Sequence, residues 1–277
     1  MTGTFYSSDE RRAIDSFRKM VSQWLDENAN VPRDIPLPRR GNPLPEPLQE
    51  WTVQFRKNLG EKGWLAPNWP AQYGGGGLSV HHASIIQEEL GRRRLPPLHG
   101  STMAMMALRV YGTETQKMTL LASVLRGEKT LVHMFTEADR GTDIRSIGTV
   151  ALKTDRGYVL NGQKDYITSQ LTPDLALCLA VTDQAISTDD RFSIVAVDTT
   201  GSDVLIRPSN LLTPGAEQTI YMTDVTSPLD HLIGEEGQGL EIANMMLDIE
   251  RGGIGVPLEL QREIEWKEKQ AHDNIQN

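Results

Sequence analysis

The 277-residue chain is long enough for one large domain or two modest ones and can bury a substantial core. Its 37 acidic side chains against 28 Lys and Arg, a net charge of -9 and a pI near 5.2 carry the wrong sign for nucleic acid, whose binding is driven by cations releasing counterions. Cys178 is the only cysteine, which excludes an internal disulfide and a Cys-rich zinc centre; with a polar N-terminus and no apolar run of ~20 residues, a cytoplasmic protein without a membrane partner is expected.

Ser8-Asp9-Glu10-Arg11 has the polar, acidic look of a helix start, and Ile14, Phe17, Met20, Val21, Trp24 and Leu25 follow at three- and four-residue spacing. Residues 31–48 are proline-rich and carry Arg33, Arg39 and Arg40; proline removes donors and fixes φ, so this reads as an irregular surface excursion. Leu48, Trp51, Phe55 and Leu59 mark a second helix, closed by Gly60 and Gly63. Gly74 to Gly77 lack the following Lys-Ser/Thr and the strand-to-helix setting of a phosphate loop, so a tight turn is predicted. Ser79 caps a helix through Gly91, in which the adjacent His81 and His82 point to different sides; no metal site is expected there. Residues 100–111 form an apolar helix with Met103, Met105 and Met106 as core filler, and Thr113 opens another helix ending at Gly127.

The period then changes. Residues 130–135, 149–154, 158–160, 164–168, 175–182, 192–198, 204–207, 218–222 and 229–233 are short, β-branched and bounded by Gly, Asp, Asn or Pro. Nine strands without helices between them predict a small β-barrel or sandwich and exclude a parallel Rossmann sheet. From Gly234 helical periodicity returns, with Leu240, Ala243, Met246, Leu247 and Ile254 on one side. Gly234, Gly237 and Gly239 lack dinucleotide-fingerprint spacing and read as a turn entering this helix, which Pro257 kinks or ends. The mostly charged remainder offers only Leu260, Ile264 and Trp266 as anchors. The fold class is thus α+β multidomain: an N-terminal all-α helical domain (1–128), a middle small β-barrel or sandwich domain (129–235), and the start of a C-terminal helical bundle (236–277) that is truncated.

Two clusters of small, hydroxylated and amide side chains, residues 136–143 and 161–169, bracket the first strand pair of the β domain. Such clusters present hydroxyls and backbone N–H groups to a polar ligand. Thr136, Tyr166 and Thr168 are the side-chain hydroxyls of these clusters best suited to that task. Taken singly, each is better read as an ordinary strand or core residue; the two clusters together reverse that reading.

TEADRGTDI at 136–144, NGQKDYIT at 161–168, WPAQYGG at 69–75, GTETQK at 112–117 and LDIERGGIG at 247–255, in this order, resemble the acyl-CoA dehydrogenase family over nearly the whole chain. The resemblance implies FAD held between a β domain and helical domains, removal of an acyl-CoA α-proton by a glutamate, and transfer of the β-hydride to flavin N5. It implies a first flavin-binding segment at His133 to Thr142, including Phe135, with Thr136 at the ring edge and Gly141 and Thr142 near the pyrophosphate. A second falls at Tyr166, Ile167 and Thr168. Thr142 also matches a pantetheine contact, and Asp248 and Arg251 match substrate-side residues. Glu250 falls on the position of the catalytic base in the branch resembling isovaleryl- and long-chain acyl-CoA dehydrogenases, where an α-proton acidified by hydrogen bonding to the thioester carbonyl would be its target; an ordinary solvated ion pair is the competing role for this carboxylate.

The sequence departs from the family pattern at Ala138 to Thr142, where Pro-x-Ala-Gly-Ser is usual, at His133, where an apolar or aromatic residue is usual, and at Tyr166, where Trp is common. The family's later helices, which complete the flavin site, have no counterpart after Glu250. Three functions are therefore in view: an FAD-dependent acyl-CoA dehydrogenase passing electrons to an acceptor such as an electron-transfer flavoprotein, a non-catalytic assembly subunit in a homo- or hetero-oligomer, or the same scaffold carrying different flavin chemistry.

Overall fold

A computed structural model describes residues 7–38, 42–141, 143–209, 211–212 and 215–251. These fall into two compact units, one within Met1–Leu37, Pro45–Leu98 and Leu125–Glu128, the other within Pro38–Leu44, His99–Val124 and Lys129–Asn277.

The first unit is helical. Helix α1 (Ser8–Asn28) opens on a capping box in which Ser7 and Glu10 satisfy each other's backbone N–H groups, and α2 (Glu46–Glu61) opens on prolines that cost nothing in a first turn. Helix α3 (Val80–Gly91) is capped by Ser79, as its sequence predicts. Val21, Leu25, Phe55, Leu59, Trp64, Leu65, Ile86 and Leu98 form its core. Glu89, nearly buried, binds Arg18 of α1 at 3.0 Å together with Arg92 and Arg93, so α1 and α3 are joined by charge as well as by apolar contact. The 74–77 glycines form the expected turn: their N–H groups donate to the carbonyls of Ala71, Pro70, Ala66 and Trp69, leaving none of them for an anion.

The second unit begins with α4 (Thr102–Tyr111), whose N-cap is Ser101. Thr113 and Gln116 form a capping box at α5 (Glu114–Gln116), which passes through a π-helical stretch at Lys117–Leu121 into α6 (Ala122–Leu125). Eight strands follow: β1 (Leu131–Met134), β2 (Val150–Thr154), β3 (Gly157–Thr168), β4 (Leu175–Val181), β5 (Phe192–Asp198), β6 (Val204–Pro208), β7 (Glu217–Ser227) and β8 (Leu232–Ile233). They run in the order β6-β7-β3-β2-β4-β5-β8, with β1 parallel to β4 and most other pairs antiparallel. Two of the nine expected strands are one. The polar run 161–163 that reads as a break is carried through β3 by bulges between Leu160 and Gly162 and between Lys164 and Ile167. The last expected strand is mostly a 3₁₀ turn, Leu229–His231, leading into the two-residue β8.

The sheet bends around its own core: Ala151, Tyr158, Leu160, Ala176, Cys178, Ala180, Val195, Val197, Ile220 and Val225 share one interior, and Ser227 Oγ reaches across to the Ala196 carbonyl at 2.6 Å. Every residue of β4 is buried, because α7 (Gly239–Glu250) packs on the side away from that interior, with α4 against α7 and β1. Leu240, Ile242, Ala243, Met245 and Met246 of α7 supply the apolar stripe. Each fully buried aliphatic side chain at this seam contributes about 1.5–3 kcal/mol, which fixes where the C-terminal end of α7 lies. No helix among the described residues is long and apolar enough to cross a membrane.

Candidate functional site

The chain leaves β1 through Phe135 and Thr136 and is caught at once by β3. The Asp165 N–H donates to the Thr136 carbonyl at 2.9 Å, and the Ala138 N–H donates to Asp165 Oδ2 at 3.0 Å. The two polar clusters singled out in the sequence therefore lie side by side. Beneath them Lys164, with a fully buried side chain, donates from Nζ to the Phe135 carbonyl at 3.1 Å and to Glu137 Oε1 at 2.9 Å. Glu137 also accepts from the Gly148 N–H at 2.7 Å, the Thr149 N–H at 2.9 Å and the Thr149 hydroxyl at 2.6 Å. Burial pushes its pKa up, but the Lys164 ammonium and these hydrogen bonds outweigh burial and hold the carboxyl below the ordinary carboxylate value. One ionised side chain thus closes the 137–149 loop over the end of β1.

Phe135 is buried, and Ile167 is buried within the interior of the β unit. Thr136 is half-buried and Thr168 exposed. Tyr166 is 48% exposed at a φ of 59°, a left-handed backbone that the second bulge of β3 imposes and that carries its ring out of the sheet's interior. Gly141, also at positive φ (61°), has nothing within 4 Å of where a Cβ would stand, leaving open space beside the loop. Thr142 lies outside the described residues.

His133, half-buried on β1, stands 2.9 Å through Nδ1 from Ser101 Oγ, with its ring edge-on to Phe135 at 5.1 Å. Burial lowers its pKa, and the Glu250 carboxylate opposes that shift. The end of α7 is thus within electrostatic reach of β1. Asp248, Glu250 and Arg251 stand exposed in and just after the last turn of α7, where the Arg251 N–H donates to the Leu247 carbonyl at 3.1 Å. Hydrogen bonds therefore unite Thr136 with the Asp165–Tyr166 segment, while Glu250 is linked to His133 through charge alone.

Sequence reasoning missed Ser101, Glu137, Lys164 and Asp165. Glu137 and Lys164 lie inside the two polar motifs and carry opposite charge; that was a readable signal of pairing, obscured by attention to hydroxyls and backbone donors. Ser101 was masked by placing the start of its helix at Gly100.

A helical unit followed by a bent, mostly antiparallel β unit and a returning helix is the acyl-CoA dehydrogenase fold. A variant of the "Tcur3481-Tcur3483 steroid ACAD" superposes with a TM-score of 0.69 at 26% identity, over 87% of this chain and 63% of that one. The acyl-CoA dehydrogenase of Geobacillus kaustophilus superposes with a TM-score of 0.63 at 23% identity, over 90% and 64%. Residues 11–128 match the family model of the acyl-CoA dehydrogenase N-terminal domain, and residues 132–223 match that of the acyl-CoA dehydrogenase middle domain. The chain belongs to the acyl-CoA dehydrogenase family. The acyl-CoA dehydrogenase FadE29 of Mycobacterium tuberculosis is 31% identical over 203 residues, 72% of this chain and 52% of the relative; FadE12 of the same species is 28% identical over 247 residues, 85% and 59%. The chain thus spans about half the length of the curated relatives it matches.

Proposed function

We propose that this chain carries the proton-abstracting and flavin-facing side of an FAD-dependent acyl-CoA dehydrogenase that converts an acyl-CoA thioester to its enoyl-CoA. The observation that carries the reading is that the Thr136–Ala138 segment and the Asp165–Thr168 segment are held side by side at the end of β1, in a chain that matches the family's N-terminal and middle domain models. The residues present suit a flavin. Thr136, Tyr166 and Thr168 form a hydroxyl set at a half-exposed edge, and the space beside Gly141 would admit a pyrophosphate. Bound there, FAD supplies the hydride acceptor.

The chain's own part is proton chemistry and positioning. Glu250 takes the α-proton, and its exposed place at a helix end leaves room for the thioester. Arg251 and Asp248, beside it, and Thr142 contact the CoA portion. Glu137 and Lys164 hold the loop in register and touch no ligand. In this division residues 1–128 form the helical domain, 129–235 the flavin-binding β domain and 236–277, of which 252–277 lie outside the described residues, a further domain that α7 opens, in a cytoplasmic oligomer passing electrons to an acceptor such as an electron-transfer flavoprotein.

The purified protein should be yellow and should bleach anaerobically with a suitable acyl-CoA. A colourless protein indifferent to added FAD sinks the proposal. A second reading is an assembly subunit whose partner completes the site. The two-component name of the steroid enzyme superposed above is in keeping with that reading. Co-purification with a homologous chain and bleaching only in its presence would favour it.

A further inference from the structure

The reaction proposed above leaves His133 without a task, yet the fold holds its imidazole firmly. Ser101 is the N-cap of α4, where its Oγ accepts the Ala104 N–H at 3.1 Å and lies 2.9 Å from His133 Nδ1. A serine hydroxyl has one proton to give. One of its two lone pairs takes the helix N–H, and Nδ1 is the one acceptor for its proton found among the described residues; donation to Nδ1 satisfies that proton inside the protein, and a neutral imidazole that accepts at Nδ1 carries its own proton on Nε2. Phe135, edge-on at 5.1 Å, limits rotation of the ring. Among the described residues no hydrogen bond to Nε2 is found.

Resting on the reading that this site takes a flavin and an acyl thioester, we propose that Ser101 is a positioning residue that fixes His133 as a neutral Nε2–H donor, and that this donor takes up a carbonyl oxygen of the bound ligand next to Glu250. The oxygen belongs either to the flavin ring or to the thioester; both present the same acceptor. Neutrality matters because an imidazolium here would compete for the Glu250 carboxylate as an ion-pair partner, whereas a neutral N–H donor leaves that carboxylate to the α-proton. The titratable groups on the surrounding elements are Arg109 and Tyr111 on α4, Tyr158, Lys164, Asp165 and Tyr166 on β3, Cys178 on β4, and Glu241, Asp248 and Glu250 on α7. Of these, Glu250 alone acts on the imidazole, and it acts against the larger effect of burial.

Long-range proton–nitrogen NMR of the ¹⁵N-histidine-labelled whole chain tests this, with His133→Phe identifying the signal. The expected result is the Nε2–H tautomer at pH 7, titrating below the ordinary histidine value. Ser101→Ala should shift the signal toward mixed tautomers and raise the pKa, while Ser101→Thr, which keeps both hydroxyl and cap, should preserve the wild-type signature. An Nδ1–H tautomer, an imidazolium at pH 7, or a signal unchanged in Ser101→Ala overturns the positioning role.

The ligand contact is read by adding FAD and then acetyl-CoA, a thioester with no β-carbon to dehydrogenate. A change in the Nε2–H resonance on FAD alone assigns the flavin carbonyl, and a change only on acetyl-CoA assigns the thioester. No change with flavin and thioester both bound, as followed by the visible spectrum, overturns the contact. A protein that stays colourless with FAD defeats the underlying dehydrogenase reading and the ligand contact with it, and the absent spectrum tells this failure apart from the other.

Discussion

Glu137 is acceptor for a buried ammonium, two backbone N–H groups and a hydroxyl, so its ionised form is built into the loop it closes. Glu137→Gln leaves the Lys164 charge buried without a counter-ion and should cost about 3–5 kcal/mol in urea unfolding. Adding Lys164→Met should recover much of that loss, because the uncompensated charge goes with it. The two depressed groups also set a pH dependence. Glu137 has its folded pKa below the ordinary 4.5, so its contribution is present above that value and is lost as pH falls through the folded one. His133 is depressed below 6.5, so the unfolded chain takes up a proton first and stability declines earlier on acidification, from about pH 6.5 down to the folded value. Unfolding midpoints should therefore fall in two stages, and His133→Phe should remove the upper one. Tyr166 gives a separable case. Its left-handed backbone costs about 1–2 kcal/mol that glycine would not incur, offset by glycine's greater loss of chain entropy. Tyr166→Gly should leave stability within about 1 kcal/mol of wild type while weakening FAD binding in a flavin titration.

Elements were legible where a period ran uninterrupted and obscure where a local device replaced it. Helices α1, α3 and α4 follow their apolar spacing and their serine caps, and β5 is found at the span its β-branched run predicts. Strand β3 was split because three polar residues in a row look like a turn; only tertiary pairing with β7 shows that bulges absorb them. The π-helical stretch before α6 left no mark in the periodicity at all. Close backbone approach is likewise invisible in sequence, and two glycines separate its consequences. At Gly60, in the last turn of α2, a Cβ would stand 2.0 Å from the Arg126 carbonyl oxygen, so Gly60→Ala forces backbone movement and should cost about 1–3 kcal/mol or more. Gly91, at the end of α3, has nothing within 4 Å, and Gly91→Ala should instead gain about 0.5–1 kcal/mol through reduced chain entropy. Urea midpoints shifting in opposite directions at constant slope would confirm the pair.

At the scale of the molecule, the order of periods (helical, then alternating, then helical) revealed the fold, while its motifs pointed to the site. What the order could not reveal was where the last helix ends in space. That follows from α7 laying its apolar stripe on the buried outer side of β4 and β5, which carries Glu250 to the neighbourhood of His133. The proposed base is therefore positioned by packing remote from the chemistry, and two substitutions should behave in opposite ways. Glu250→Gln keeps the helix, its stripe and the hydrogen-bonding shape of the side chain; it should retain the flavin spectrum and acyl-CoA binding but slow anaerobic bleaching by about 10²–10⁴-fold, the range for losing a general base. Met246→Ala, in the fully buried stripe, should cost about 2–5 kcal/mol of stability and loosen the placement of Glu250, so that bleaching slows while the flavin spectrum persists in the folded fraction. Stopped-flow absorbance on the two variants separates them: a pH-independent residual rate in Glu250→Gln marks loss of the titrating base itself, whereas Met246→Ala should keep the wild-type pH profile at a lower amplitude. If Glu250→Gln bleaches at the wild-type rate, the base lies elsewhere and Glu250 reverts to a surface carboxylate at a helix end.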